Sequence, residues 1–208
     1  MQDMRFTRAI QSIHLAIVCL VLFQLFSEQL MEIPKPDKAI DDTQALFLLL
    51  HEWNGFIVLG LAILFLMLRF DKSQERHSLF PWLSASGWKG LFKEICNDIP
   101  SWFKGKLKKP EESFHIASTV HGLGILLLLG LGATGIMVFM ELQPNGYMDK
   151  DTKLIKDLHS DMGDLIWIFV LGHSAMALLH QLAGHRVFQS IFISKTGIDE
   201  DISNSDEK

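Results

Sequence analysis

The stretch LHSDMGDLIWIFVLGHSAMALLH, residues 158–180, decides the fold. Its mostly apolar part runs over 165–182. A helix needs about 20 mostly apolar residues to cross about 30 Å of hydrocarbon, so this run sits at the lower limit and needs its flanks to complete a crossing. Three more runs lie upstream, over 9–26, 45–70 and 116–140. The second and third of the four exceed what a crossing requires. None shows the polar face of an amphipathic surface helix. A soluble chain of 208 residues would have to bury all four in one core. The sequence therefore predicts an all-α integral membrane four-helix bundle, with helices near 9–27, 45–70, 115–140 and 160–183. Residues 1–190 form the membrane domain, and 191–208 an acidic, disordered tail.

The first run follows Arg5 and Arg8 and ends in Phe26-Ser27-Glu28 rather than in a small-residue cleavage site, so it is expected to remain as a helix. Cys19 and Cys96 stand alone, forming neither a disulfide framework nor a metal knuckle. No Cys-x-x-Cys-His occurs, which excludes covalently attached c-type haem. Much of the net charge of −5 comes from Asp199, Glu200, Asp201, Asp206 and Glu207 in the tail.

Basic residues orient the bundle. The segment 71–114 carries Lys72, Arg76, Lys89, Lys93, Lys104, Lys106, Lys108 and Lys109, and Arg69 closes the second span on the same side. Lys35 and Lys38 in the first loop sit among Glu28, Glu32, Asp37, Asp41 and Asp42. In the last loop Lys150, Lys153 and Lys156 are diluted by Asp149, Asp151 and Asp157. Both termini and the middle loop are expected to be cytoplasmic. The middle loop interleaves aromatic residues with lysine in Pro81-Trp82-Leu83, Trp88-Lys89-Gly90-Leu91-Phe92-Lys93 and Trp102-Phe103-Lys104. That pattern predicts a helix lying at headgroup level against membrane lipid. It equally suits a docking surface for a partner. The interspersed acidic residues and the two membrane tethers argue against nucleic acid.

Nine histidines occur, and six lie within or at the edge of the apolar runs. Ionisable residues inside a membrane are costly and by default mark a functional site. His159 and His173, 14 residues apart, lie about 40° apart around a helix and about 21 Å apart along it. One face thus presents two imidazoles near opposite sides of the membrane. The first span runs outward, placing His14 at the inner level, and the second begins outside, placing His51 at the outer level. The expected pairs are His51 with His159 and His14 with His173. His180 shares the face of His173, and depth alone does not choose between them. Zinc would want three or four clustered ligands, and an electron-transfer copper site a thiolate or thioether. Two imidazoles facing each other from separate helices suit the axial positions of haem iron. Gly55 and Gly163, one turn beyond His51 and His159, would clear room for the ring, although glycines also mark close helix packing.

Gln11-Ser12-Ile13-His14, Leu50-His51-Glu52-Trp53-Asn54-Gly55, Val120-His121-Gly122 and the 158–180 stretch together resemble the bacterial cytochrome b561 family. That family shares its fold with the membrane b subunits of nickel-iron hydrogenase, formate dehydrogenase and thiosulfate reductase. The resemblance spans residues 5 to about 190. It implies two haems b held by His14, His51, His159 and His173, which favours His173 over His180. It also implies exchange of electrons with quinone and, in the subunit forms, with a periplasmic redox protein or oxidoreductase. The long Trp/Lys-rich middle loop is closer to the hydrogenase-type subunits than to the compact stand-alone members. An alternative is a stand-alone superoxide:quinone oxidoreductase, with Lys150, Lys153 and Lys156 steering the anion. His121, with His115 and His180, supplies surplus histidines on the inner side that could serve a quinone site, since imidazole both donates and accepts near neutral pH. His115 and His180 could also simply snorkel to the interface. His77 and His185 have no such role. A homo-oligomer is compatible with the sequence.

Overall fold

The computed structural model describes residues 2–33, 40–70, 79–102, 105–141, 150–185 and 187–188. The tail 191–208, His77 and residues 34–39, 71–78, 103–104 and 142–149 of the connecting segments lie outside the described residues. Five helices form the described chain: α1 Gln2–Leu30, α2 Asp42–Phe70, α3 Ala85–Trp102, α4 Phe114–Glu141 and α5 Lys150–Leu182. Short 3-10 turns at Pro81–Leu83 and Pro110–Ser113 flank α3. Four helices are long and apolar enough to cross a membrane: α1, α2, α4 and α5.

The helices outrun the apolar runs that announced them. Spans α1 and α5 begin at Gln2 and Lys150, earlier than apolar length suggests, because their first turns are polar. Their ends are set by local chemistry. Asp41 caps α2: its Oδ1 accepts from the backbone N–H of Thr43 at 2.8 Å and Gln44 at 2.9 Å, while Gln44 Oε1 accepts from the N–H of Asp41 at 3.2 Å. This reciprocal capping box satisfies donors that an open helix end leaves orphaned. At the far end of α5, Gly184 takes φ +85°, and His185 N–H reaches His180 O at 3.0 Å. A side chain resists that left-handed backbone, so glycine ends the helix.

In the bundle, α1 packs along α2, α2 along α4 and α4 along α5. Ile17, Val21, Leu25, Val58, Phe65, Ile125 and Ile166 form the shared core. Helix α5 makes no more than marginal backbone approach to α1 or α2. Facing side chains and open space, not close backbones, separate these helices. Large apolar residues such as Leu22, Phe26, Trp53, Met67 and Ile168 face outward and exposed. Lipid is their natural solvent, since water would not tolerate so large an apolar surface.

Helix α3 divides its circumference. Gly87, Leu91 and Asp98 are buried; Gly87 lies against Pro81, and Glu94 and Asp98 face the residues that open α4. Trp88, Phe92 and Ile95 form an exposed apolar strip about 100° away, with Lys89 and Lys93 beyond it. The joint to α4 is polar. Glu94 accepts from the N–H of His115 at 3.1 Å and Ile116 at 2.9 Å, and meets His115 Nδ1 at 2.6 Å. A carboxylate at a helix N-terminus compensates its free N–H groups and dipole. Asp98, wholly buried, accepts from Ser113 at 2.8 Å and from Lys108.

Candidate functional site

Two levels of the bundle carry facing imidazoles. At one end His51 on α2 meets His159 on α5, with ring centroids 6.4 Å apart and planes at 80°. At the other His14 on α1 meets His173 on α5, at 6.5 Å and 68°. These are the pairs that helix direction and the 14-residue step predict. His173, not His180, stands across from His14.

The separations have chemical meaning. A bond from a metal to imidazole nitrogen is about 2.0–2.1 Å and the ring centre lies about 1.15 Å behind it, so an ion held between two imidazoles sets the centroids about 6.3–6.5 Å apart. Both pairs fall there. Direct bonding gives a shorter distance: His180 and His185, joined Nδ1 to Nδ1 at 2.9 Å, have centroids 5.2 Å apart. The two pairs are thus spaced by the width of one ion. Among the described residues no three His, Cys, Asp or Glu side chains group as a metal site.

Hydrogen bonds aim the first pair. Ser27 is fully buried, and its hydroxyl donates to Gln24 O at 2.9 Å. With its one proton spent, Ser27 Oγ can only accept from His51 Nδ1–H, 3.2 Å away. Thr134 repeats the device: it donates to Gly130 O at 2.9 Å and accepts from His159 Nδ1–H at 2.9 Å. Each ring therefore carries its proton on Nδ1 and leaves Nε2 bare, as an imidazole ligand requires. Register comes from a polar ladder between α1 and α2. Gln24 Nε2 donates to His51 O at 2.9 Å, and Asn54 Nδ2 donates to Leu20 O at 2.9 Å and Gln24 Oε1 at 2.5 Å.

A cavity of about 430 Å³ surrounds this pair, within the roughly 300–1,000 Å³ of ligand pockets. Gly55, Gly132, Gly135 and Gly163 line it. A Cβ at Gly135 would stand 3.2 Å from His159 Cε1, and one at Gly55 3.3 Å from Gln24 Nε2, whereas Gly163 has ordinary clearance from Glu28. Gly55 and Gly163 are the glycines the sequence offered. Gly135, Ser27, Thr134, Gln24 and Asn54 escaped it, although polar residues inside apolar runs are signals in themselves. Glu28, Glu32, Glu52 and Lys156 also line the cavity.

The second level holds a third imidazole. His121 stands edge-on to His173 with centroids 5.2 Å apart, too close for an ion between them. Its Nδ1–H donates to Ala117 O at 2.7 Å, and its side chain is exposed at the bundle surface. Phe169 stacks flat on His173 at 5.5 Å. His115 is engaged with Glu94 at the foot of α4, and His180 with His185 past the end of this level.

Four spanning helices that present imidazole pairs at this spacing, inside a glycine-lined apolar interior, have the build of a membrane haem protein. The sequence matches the model of the prokaryotic cytochrome b561 family over residues 5–193. The chain belongs to that family and is a transmembrane b-type cytochrome that works in electron transfer. No curated protein and no solved structure matches it.

Proposed function

We propose that this cytochrome carries two haems b, one between His51 and His159 and one between His14 and His173, and moves electrons between the membrane quinone pool and a redox partner. The partner is a periplasmic oxidoreductase or cytochrome c, which makes the chain an electron-transfer subunit with a quinone-reactive site. The observation that carries this reading is the pair of centroid separations, 6.4 and 6.5 Å. When bound, each haem supplies a one-electron Fe(III)/Fe(II) couple. His159 and His173 offer that couple two depths on α5, beside an aliphatic core.

The excess of lysine in segment 71–114 supports placing both termini and α3 on the cytoplasmic side of a bacterial inner membrane. The His51/His159 level is then outer and the His14/His173 level inner. The exposed Trp88, Phe92 and Ile95 strip beside Lys89 and Lys93 supports a seat for α3 at the lipid headgroups. Quinone reacts at the inner end, where His121 opens to the lipid phase and its Nδ1–H is already engaged, leaving Nε2 to meet a quinone oxygen or its proton. The rival reading, superoxide oxidation, needs an outer mouth that attracts anions. The outer cavity sets Glu28, Glu32 and Glu52 against Lys156, which favours the subunit role.

The test is single replacement with redox difference spectra. His51→Ala or His159→Ala should remove the outer haem alone, and His14→Ala or His173→Ala the inner alone. Loss of a haem from His180→Ala, with both retained in His173→Ala, would overturn the inner assignment.

A further inference from the structure

Imidazole hydrogen bonding differs sharply between the two levels. At the outer level both rings donate from Nδ1 to hydroxyl oxygens whose own protons are committed to backbone carbonyls, Ser27 to Gln24 O and Thr134 to Gly130 O. At the inner level, among the described residues, no hydrogen bond is made by the ring of His14 or His173. His173 instead stacks on Phe169 at 5.5 Å. A cation also sits at this end of α2: Arg69 lies over Phe65 at 5.6 Å.

A bond from Nδ1–H to an oxygen pushes electron density toward Nε2 and makes the imidazole a more basic ligand. A more basic ligand stabilises the ferric state over the ferrous and lowers the potential. A nearby fixed cation acts in the opposite sense, favouring the state with one more electron. The two effects operate at different levels and separate them in one direction.

We propose that Ser27 and Thr134 are positioning residues that fix the tautomers of His51 and His159 and set the outer level at a lower potential than the inner one. The inference rests on the two-haem reading above. Its consequence is a built-in slope for inward electron flow, from a periplasmic donor toward a quinone at the inner end. That slope opposes the membrane potential, which resists negative charge moving inward.

The experiment is a spectroelectrochemical titration of the purified holoprotein, with the outer component identified by its absence from His51→Ala. In the unaltered protein the outer component should titrate below the inner. Thr134→Val keeps the volume and deletes the hydroxyl; together with Ser27→Ala it should raise the outer potential and leave the inner one in place. Thr134→Ser retains the hydroxyl and should titrate as the unaltered protein does. If Thr134→Val sheds the outer haem, its retention in Thr134→Ser supports the clamp, and loss from both overturns it. An outer potential unmoved by Thr134→Val, moved equally by Thr134→Ser, or lying above the inner one from the start would also overturn the proposal. Failure of the two-haem reading looks different: a single component before any residue is changed.

Discussion

Replacing Asp98 with alanine removes one of the two carboxylates that tie α3 to the foot of α4. The carboxylate is wholly buried, and Ser113, itself 7% exposed, donates to it at 2.8 Å. Deleting it strands the Ser113 hydroxyl, and an unsatisfied buried donor costs about 1–3 kcal/mol. Lys108, whose side chain is 43% exposed, turns to water and adds little. At about 1.4 kcal/mol per tenfold, local opening of residues 85–102 should become about 5- to 150-fold more frequent. Hydrogen exchange resolved by peptide reads this directly, with haem absorption as the control that the bundle is intact. Acid should have the same effect. Burial pushes the Asp98 carboxyl up, but the hydrogen bonds from Lys108 and Ser113 and the Lys108 charge outweigh it and hold it below the usual carboxylate range. A carboxyl depressed in the folded state stabilises fully above its unfolded value, about 3.9, and loses that contribution only as pH falls through the folded one. Protection of α3 should therefore be flat from neutrality to about pH 4, after correction for intrinsic rates, and decline below it. Equal exchange of α3 in Asp98→Ala and the unaltered protein would refute the reasoning.

Three further outcomes follow from the site. Gly135→Leu pushes a side chain into His159, whose Cε1 already lies 3.2 Å from the Cβ position, so the outer haem should be lost or turn high-spin while the inner spectrum stays intact. His121→Leu should keep both haem spectra yet slow haem reoxidation by quinone in vesicles; an unchanged rate would move the quinone site elsewhere. With haem iron held between them, imidazole planes at 80° and 68° would leave the iron dπ orbitals nearly degenerate, so the ferric protein should give two strongly anisotropic low-spin EPR signals rather than rhombic ones.

Which parts of this were legible in the sequence follows from the range of the interactions. Four spans were legible because crossing a bilayer is a demand on length and apolarity alone. The histidine pairs were legible because α5 keeps 3.6 residues per turn over 14 residues and the spans alternate in direction, so depth could be counted. Helix ends were less so: the Asp41–Gln44 capping box is a local motif that an apolar count ignores, and the polar first turns of α1 and α5 have no hydropathy signal. Ser27 and Thr134 could not be assigned, since each finds its histidine only through the packing of separate helices. His115 and His180 illustrate the converse. Position put them near the inner level, and the structure engages them with Glu94 and His185, partners that no spacing rule connects.

The energetics of the proposed route also depend on both levels being present. Moving one charge across the membrane potential is worth about 2.3 kcal/mol per 100 mV, and a single level could not divide that work or span the depth between His159 and His173. The central claim is therefore most directly tested by haem content: pyridine haemochrome absorbance of the purified chain against its amino-acid analysis. Two haems b per chain is the predicted ratio, and a ratio of one in fully loaded protein would contradict the account.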